Sequence, residues 1–292
     1  IPITLGSAGL QIINTVDTMV YMRRLVNAVG MAQAEAEHVK GVYNFCQTIF
    51  NLPCALITPI TISVIPAITA HLTRKDEKAA AMTEGSALRI AALIAMPCAF
   101  GLFSLAEPIM HLFGDTGAQL ELSSRIMAFL GLAVIFNSLV LVTNAMMQAH
   151  GDVTTPVINM IIGGVVKVVL NFFLVGIPSI NIIGAAMGTV VCYALITILN
   201  MIAMVRHGLT SFKTFGAVLR PGLAAVLMGI CAWMANGVLC RFLPERLACV
   251  GAIGVAGLVY VIFVLLFRVI TMDDCNLLPG GQKIAKILRI SP

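Results

Sequence analysis

The chain has 292 residues, 18 of them basic and 13 acidic, with 59% hydrophobic and 11% charged side chains and a mean hydropathy of +0.99. Soluble domains carry about a quarter charged residues, so this chain cannot cover a globular surface with polar groups, and a soluble domain is excluded. Its solvent is largely lipid, where only helices and closed barrels satisfy the backbone.

The apolar runs are long and lack the period-two alternation of barrel strands. The expectation is an all-α, polytopic membrane protein with about eight spans of roughly 20 residues. In chain order they fall near Ile1–Tyr21, Val42–Ala70, Ala87–Ala106, Ile126–Met147, Pro156–Gly176, Ile182–Val205, Pro221–Leu239 and Ala248–Phe267. The first residue is Ile1, and no charged segment with a small-residue cleavage site precedes or follows the first run, so it is a span rather than a signal peptide. A natural start upstream of Ile1 is expected.

The first span spaces Ser7, Gln11, Asn14 and Thr18 at steps of four, three and four, which stacks them on one helix face beside Asp17. Asp17 sits four residues before Tyr21, with Arg23 and Arg24 beyond it. It is open to a surface pairing with those arginines, to ion coupling, or to pairing with a lysine elsewhere. The second span carries Asn44, Gln47, Thr48, Asn51 and Thr58, together with Pro53, Pro59 and Pro66. Proline removes a backbone donor and kinks a helix, and broken helices in membranes border protein or water-filled cavities. Three in one span predict a bent, mobile element.

The charged connection HLTRKDEKAAAMTEGSALR extends the third span as an amphipathic helix. The fourth span adds Asn137, Asn144 and Gln148. Any one of these polar residues reads as interhelical glue worth about 0.6–2 kcal/mol. Three helices with continuous polar stripes read as the wall of a wet cavity.

The fifth span, VINMIIGGVVKVVLNFFLVG, holds Lys167 near its centre, with Asn171 at i+4 and Gly163 at i−4. A cation at mid-bilayer costs about 2.5–3.5 kcal/mol on insertion scales. The alternatives are a structural ion pair, neutralisation by burial, or a cation facing an aqueous cavity and attracting an anionic substrate; the last is the favoured expectation.

Eight cysteines lie almost entirely in apolar runs without a C-x-x-C pair and read as small hydrophobes. No P-loop, H-E-x-x-H, paired catalytic acids or Ser/His/Asp arrangement occurs. Neither catalysis, a metal, a cofactor nor a nucleic-acid partner is expected. With the N-terminus cytoplasmic and the spans alternating, 11 Lys and Arg residues fall on the cytoplasmic side and six outside, Lys167 lying between. Both ends are therefore expected to be cytoplasmic. The tail GGQKIAKILRI separates Ile284, Ile287 and Leu288 from Lys283, Lys286 and Arg289. A basic amphipathic helix on the inner leaflet and a frayed charged terminus both fit.

The ordered segments IPITLGSAGLQIINTVDTMVYMRRL, GVYNFCQTIFNLPCALITPITISVIPAIT and ALRIAALIAMPCAFGLFSLAEPIMHLFG resemble the MurJ-type lipid II flippases. AMMQAHGDVTTPVINMIIGGVVKVVLNFFLVGIPSINIIGAAMGTVVCYALITILNMI and LLPGGQKIAKILR are similar to the stage V sporulation protein B branch of the same superfamily, which also includes polysaccharide-lipid exporters and multidrug and toxin extruders. The resemblance implies about fourteen helices in two lobes of six plus a final pair. On that template residues 1–205 form the second lobe, 206–270 the final pair that lines a lipid-tail groove, and 271–292 a cytoplasmic basic tail. The N-terminal lobe would lie outside this sequence.

The resemblance further implies a monomeric transporter that flips a lipid-linked oligosaccharide pyrophosphate by alternating access, among membrane lipids. Many members carry an arginine and a glutamate just before Leu-Pro; the matching positions here are Thr48 and Asn51, and Lys167 would supply replacement positive charge. The expected cavity residues are thus Gln11, Asn14, Asp17, Arg23, Arg24, Asn44, Gln47, Thr48, Asn51, Asn144, Lys167 and Asn171. A Na⁺- or H⁺-driven multidrug extruder and a non-transporting membrane scaffold are the competing readings.

Overall fold

The computed structural model describes residues 2–206, 216–267 and Val269, with side chains from residue 11 onward except Ala217. Helices account for nearly all of it. They are α1 (Pro2–Asn27), α2 (Gln33–Thr73), α3 (Glu77–Ser104), α4 (Ala106–Leu112), α5 (Gly117–Ala149), α6 (Thr154–Leu174), α7 (Ile183–Arg206), α8 (Leu219–Leu239) and α9 (Glu245–Leu266), with a 3-10 turn at Gly216–Val218.

Seven helices among the described residues, α2, α3 and α5 to α9, are long and apolar enough to cross a membrane. The sequence predicts about eight. The eighth long helix is α1, whose described part carries Gln11, Asn14, Asp17 and the Arg23–Arg24 pair and which is not among the seven. The charged connection before the third span is helical as expected: α3 runs unbroken from Glu77, where the Asp76 carboxylate caps it by accepting from the Ala79 amide. Ser7 and the C-terminal tail lie outside the described side chains and residues.

α5 is the centre of the bundle and packs against α2, α3 and α7. Its approach to α3 is close because α3 turns Ala87, Ala91, Ala95 and Ala99 inward at a spacing of four, and small residues let membrane helices meet backbone to backbone. Gly131 on α5 completes that seam; a β-carbon there would stand 3.1 Å from the Ala99 carbonyl oxygen. α6 scarcely touches α5. It lies between α1 and α7, with Gly164 against Ile13 of α1 and Gly163 against Ile196 of α7. The last two helices pack on each other, α8 on α3 and α9 beside α4. The Tyr260 hydroxyl ties α9 back to the bundle by donating to the Leu93 carbonyl at 3.0 Å.

α2 keeps Pro53, Pro59 and Pro66 inside a single 41-residue helix. At 1.5 Å per residue its path is about 61 Å, roughly twice the hydrocarbon thickness. Hydroxyls in this stretch bond back to their own helix: Thr58 donates to the Cys54 carbonyl, Thr61 to that of Thr58 and Ser63 to that of Ile60. The three prolines thus sit within one continuous helix.

A buried polar core between α1, α6 and α7

Lys167 reaches across from α6 to α1, where its Nζ lies 3.1 Å from Asp17 Oδ2. Asn171, one turn further along α6, donates from Nδ2 to the other carboxylate oxygen at 2.6 Å. Asp17 and Asn171 are 4% and 0% exposed, so the carboxylate is desolvated and both of its oxygens are engaged from α6. This is the structural ion pair that the sequence left as an alternative. The favoured expectation, an unpaired Lys167 facing an aqueous cavity, is corrected: a lone cation in a low-dielectric bundle is far costlier than one paired and hydrogen-bonded. Asn171 is likewise a packed residue, with Gly188 of α7 against its amide oxygen. Its Oδ1 has no donor.

Around this pair, Tyr43 of α2 shares a 3.2 Å hydrogen bond with Thr189 of α7 and accepts one from Gln47 at 3.1 Å. Gln47 is therefore anchored into the core. A second polar cluster lies further along α6 and α7. Asn159 donates to the Asn200 side-chain oxygen at 2.9 Å, and Asn200 donates to Thr143 at 2.9 Å and to Asn144 at 2.8 Å. Asn144, expected to line a cavity, is instead an interhelical link among α5, α6 and α7. Asn159 and Asn200 escaped sequence reading because their partnership exists only across helices.

Arg24 is also not a free cavity cation. Its Nε donates to the Phe172 carbonyl at 2.9 Å, and the guanidinium sits 4.3 Å from the Phe172 ring centroid. That carbonyl is in the last turn of α6, where acceptors lack intrahelical donors. Arg24 satisfies one while stacking on the ring. Arg23, by contrast, is exposed.

The remaining predicted residues form a surface. Gln11 and Asn14 on α1, and Asn44, Thr48 and Asn51 on α2, are all exposed. Thr48 donates to the Asn44 carbonyl of its own helix. α1 and α2 therefore present polar stripes that nothing in the described residues covers. On another side of α2, Ile49, Leu52 and Pro53 join Leu102, Met228 and Ala256 around an apolar cavity of about 350 Å³ between α2, α3 and the last helix pair.

One acid within a long helix was missed. Glu84 reads as part of a charged connection, yet on α3 it is fully buried and meets His150 at 2.7 Å. The described residues contain no group of three potential metal ligands.

This arrangement of helices is that of known lipid and drug transporters. The structure superimposes on a lipid II flippase MurJ in an inward closed conformation with a TM-score of 0.65 at 18% identity, over 89% of this chain and 52% of that one. It superimposes on an outward-facing multidrug resistance MATE transporter of the MOP superfamily with a TM-score of 0.59 at 16% identity, over 98% and 64%. These likenesses establish the fold.

In sequence the chain is 26% identical over 89% of its length to the uncharacterized membrane protein YabM of Bacillus subtilis (strain 168). It is 25% identical over 80% to stage V sporulation protein B, and 24% over 84% to lipid II flippase MurJ, both of the same organism. The model of the lipid II flippase MurJ family matches residues 11–250. The chain belongs to that family. It spans about half the length of these relatives, 49%, 44% and 45% respectively.

Proposed function

We propose that this chain is the second lobe and final helix pair of a flippase that moves a lipid-linked cell-wall or polysaccharide precursor across the bacterial cytoplasmic membrane, with both ends in the cytoplasm. The observation that carries it is the pair of uncovered polar stripes on α1 and α2. In hydrocarbon such residues are costly, so they suit the wall of a water-filled vestibule closed by a companion lobe. The apolar cavity beside the last helix pair suits a polyprenyl tail, leaving the polar headgroup to the stripes.

Transport on this reading is a change of access without a bond-breaking step. A headgroup with two negative charges leaving an inside-negative cell at 100 mV gains about 4–5 kcal/mol, at 2.3 kcal/mol per charge. The cation at 167 then acts through structure: paired with Asp17, it holds the α1–α6 face that carries the stripe. Arg23, exposed near the end of α1, is a basic residue open to an anionic headgroup.

The test is the full-length protein in a flippase-depleted strain. Rescue of growth and outward movement of the lipid-linked precursor are expected, and bulky substitutions at Asn44 and Asn51 should abolish both while leaving membrane levels intact. Normal flipping with those positions blocked, or no rescue at all, would reject the reading.

A further inference from the structure

Asp115 lies in the turn between α4 and α5. It is 9% exposed. Gln119 donates to its Oδ1 at 2.6 Å, whereas Oδ2 has no partner. Among the described residues no basic side chain bonds to either oxygen. The turn is built to hold it there: Gly114 and Gly117 take positive φ of 103° and 58°, and the Asp115 amide donates back to the Met110 carbonyl at 3.2 Å. Burying a carboxylate with one oxygen unanswered is strongly unfavourable. A fold that fixes the backbone on both sides of such a group leaves a cation to answer it.

The carboxylate borders a cavity of about 380 Å³ between this turn and the first part of α2. Its other walls are Val42, Phe45 and Phe113, with His38 at the side. Phe45 and Phe113 meet edge to face with centroids 5.4 Å apart, and both rings are partly exposed. One carboxylate among aromatic and aliphatic walls is a poor cage for a hard metal ion, which needs several oxygens. It suits an ammonium group, which pairs with the carboxylate, lies against ring faces and brings apolar substituents of its own. His38 and Phe113 are both exposed where they line the cavity.

We propose that this cavity binds a primary alkylammonium group, with Asp115 as its counter-ion and Phe45 and Phe113 as its apolar clamp. The inference does not depend on the flippase reading. The same group occurs on soluble amines and on aminophospholipid headgroups, and the experiment separates these sources.

Full-length protein in detergent is melted with n-butylammonium chloride, with n-butanol, and with sodium chloride at matched ionic strength. A rise of several degrees with butylammonium alone is expected, absent in Asp115→Asn and at least several-fold weaker in Phe113→Leu. Phe113 is 57% exposed, so that variant reports on binding even where Asp115→Asn fails to fold. In nanodiscs, higher stability in phosphatidylethanolamine than in phosphatidylcholine, lost in Asp115→Asn, assigns the site to a lipid headgroup; equal stability with a positive detergent result assigns it to a soluble amine. Equal shifts from butylammonium and sodium chloride, or an undiminished shift in both variants, would overturn the proposal.

Discussion

Gly188 of α7 faces Asn171 of α6 so closely that a β-carbon on the glycine would collide with the asparagine amide oxygen. Asn171 is the residue that bonds the second oxygen of Asp17, so the glycine sets the position of the whole α1–α6 polar contact. Gly188→Ala should displace the amide and destabilise the protein by about 1–3 kcal/mol, the usual cost of overpacking. Thermal or denaturant unfolding of the full-length protein checks this.

Lys167→Met leaves Asp17 buried without its cation. Breaking a buried pair from one side costs about 3–5 kcal/mol, while replacing both partners with apolar or neutral groups is often nearly neutral. Lys167→Met and Asp17→Asn should each be severe, and the double variant should regain most of the loss. A double-mutant cycle showing simple additivity would remove the energetic coupling inferred from the 3.1 Å contact.

Asn200 supplies bonds to Asn159, Thr143 and Asn144. Asn200→Ala strands those partners in a buried site. Interhelical hydrogen bonds in membranes are each worth about 0.6–2 kcal/mol, so a loss of about 1–3 kcal/mol is expected, with a matching fall in melting temperature. Asn14→Ala, at an exposed position, should leave melting almost unchanged.

Arg24→Lys keeps a positive charge but loses the planar group that both stacks on Phe172 and donates to its carbonyl. The expected loss is about 1–2 kcal/mol. A water-accessibility probe should show cysteine labelling at Asn44 and protection at Asn144, because the first is exposed and the second is held in the amide cluster.

Much of the bundle was legible because apolar run length is a strong signal; each span from the second onward falls on one long helix and overruns it by no more than two residues. Lys167 announced itself as an anomaly, yet the sequence could not choose its partner. Pairing to Asp17 requires that helices 150 residues apart be neighbours, a fact of topology. The helical spacing of Asn44, Thr48 and Asn51 does place them on one exposed face of α2, whereas Asn144 accepts a bond from Asn200 of α7, a neighbour that spacing within one span does not reveal. Glu84 was hidden for a different reason: its surroundings in sequence are charged, and only the continuation of α3 through that segment carries it into the core.

α6 owes its place to polar contacts on two sides, with α1 through Lys167, Asn171 and the Arg24 clamp, and with α7 through Asn159. It has almost no footing on α5. α1 and α6 are therefore joined as one plank, riveted by charge near the middle and stapled at one end. Its other flank is set against α7, where Gly163 admits Ile196 and the amide cluster bonds across.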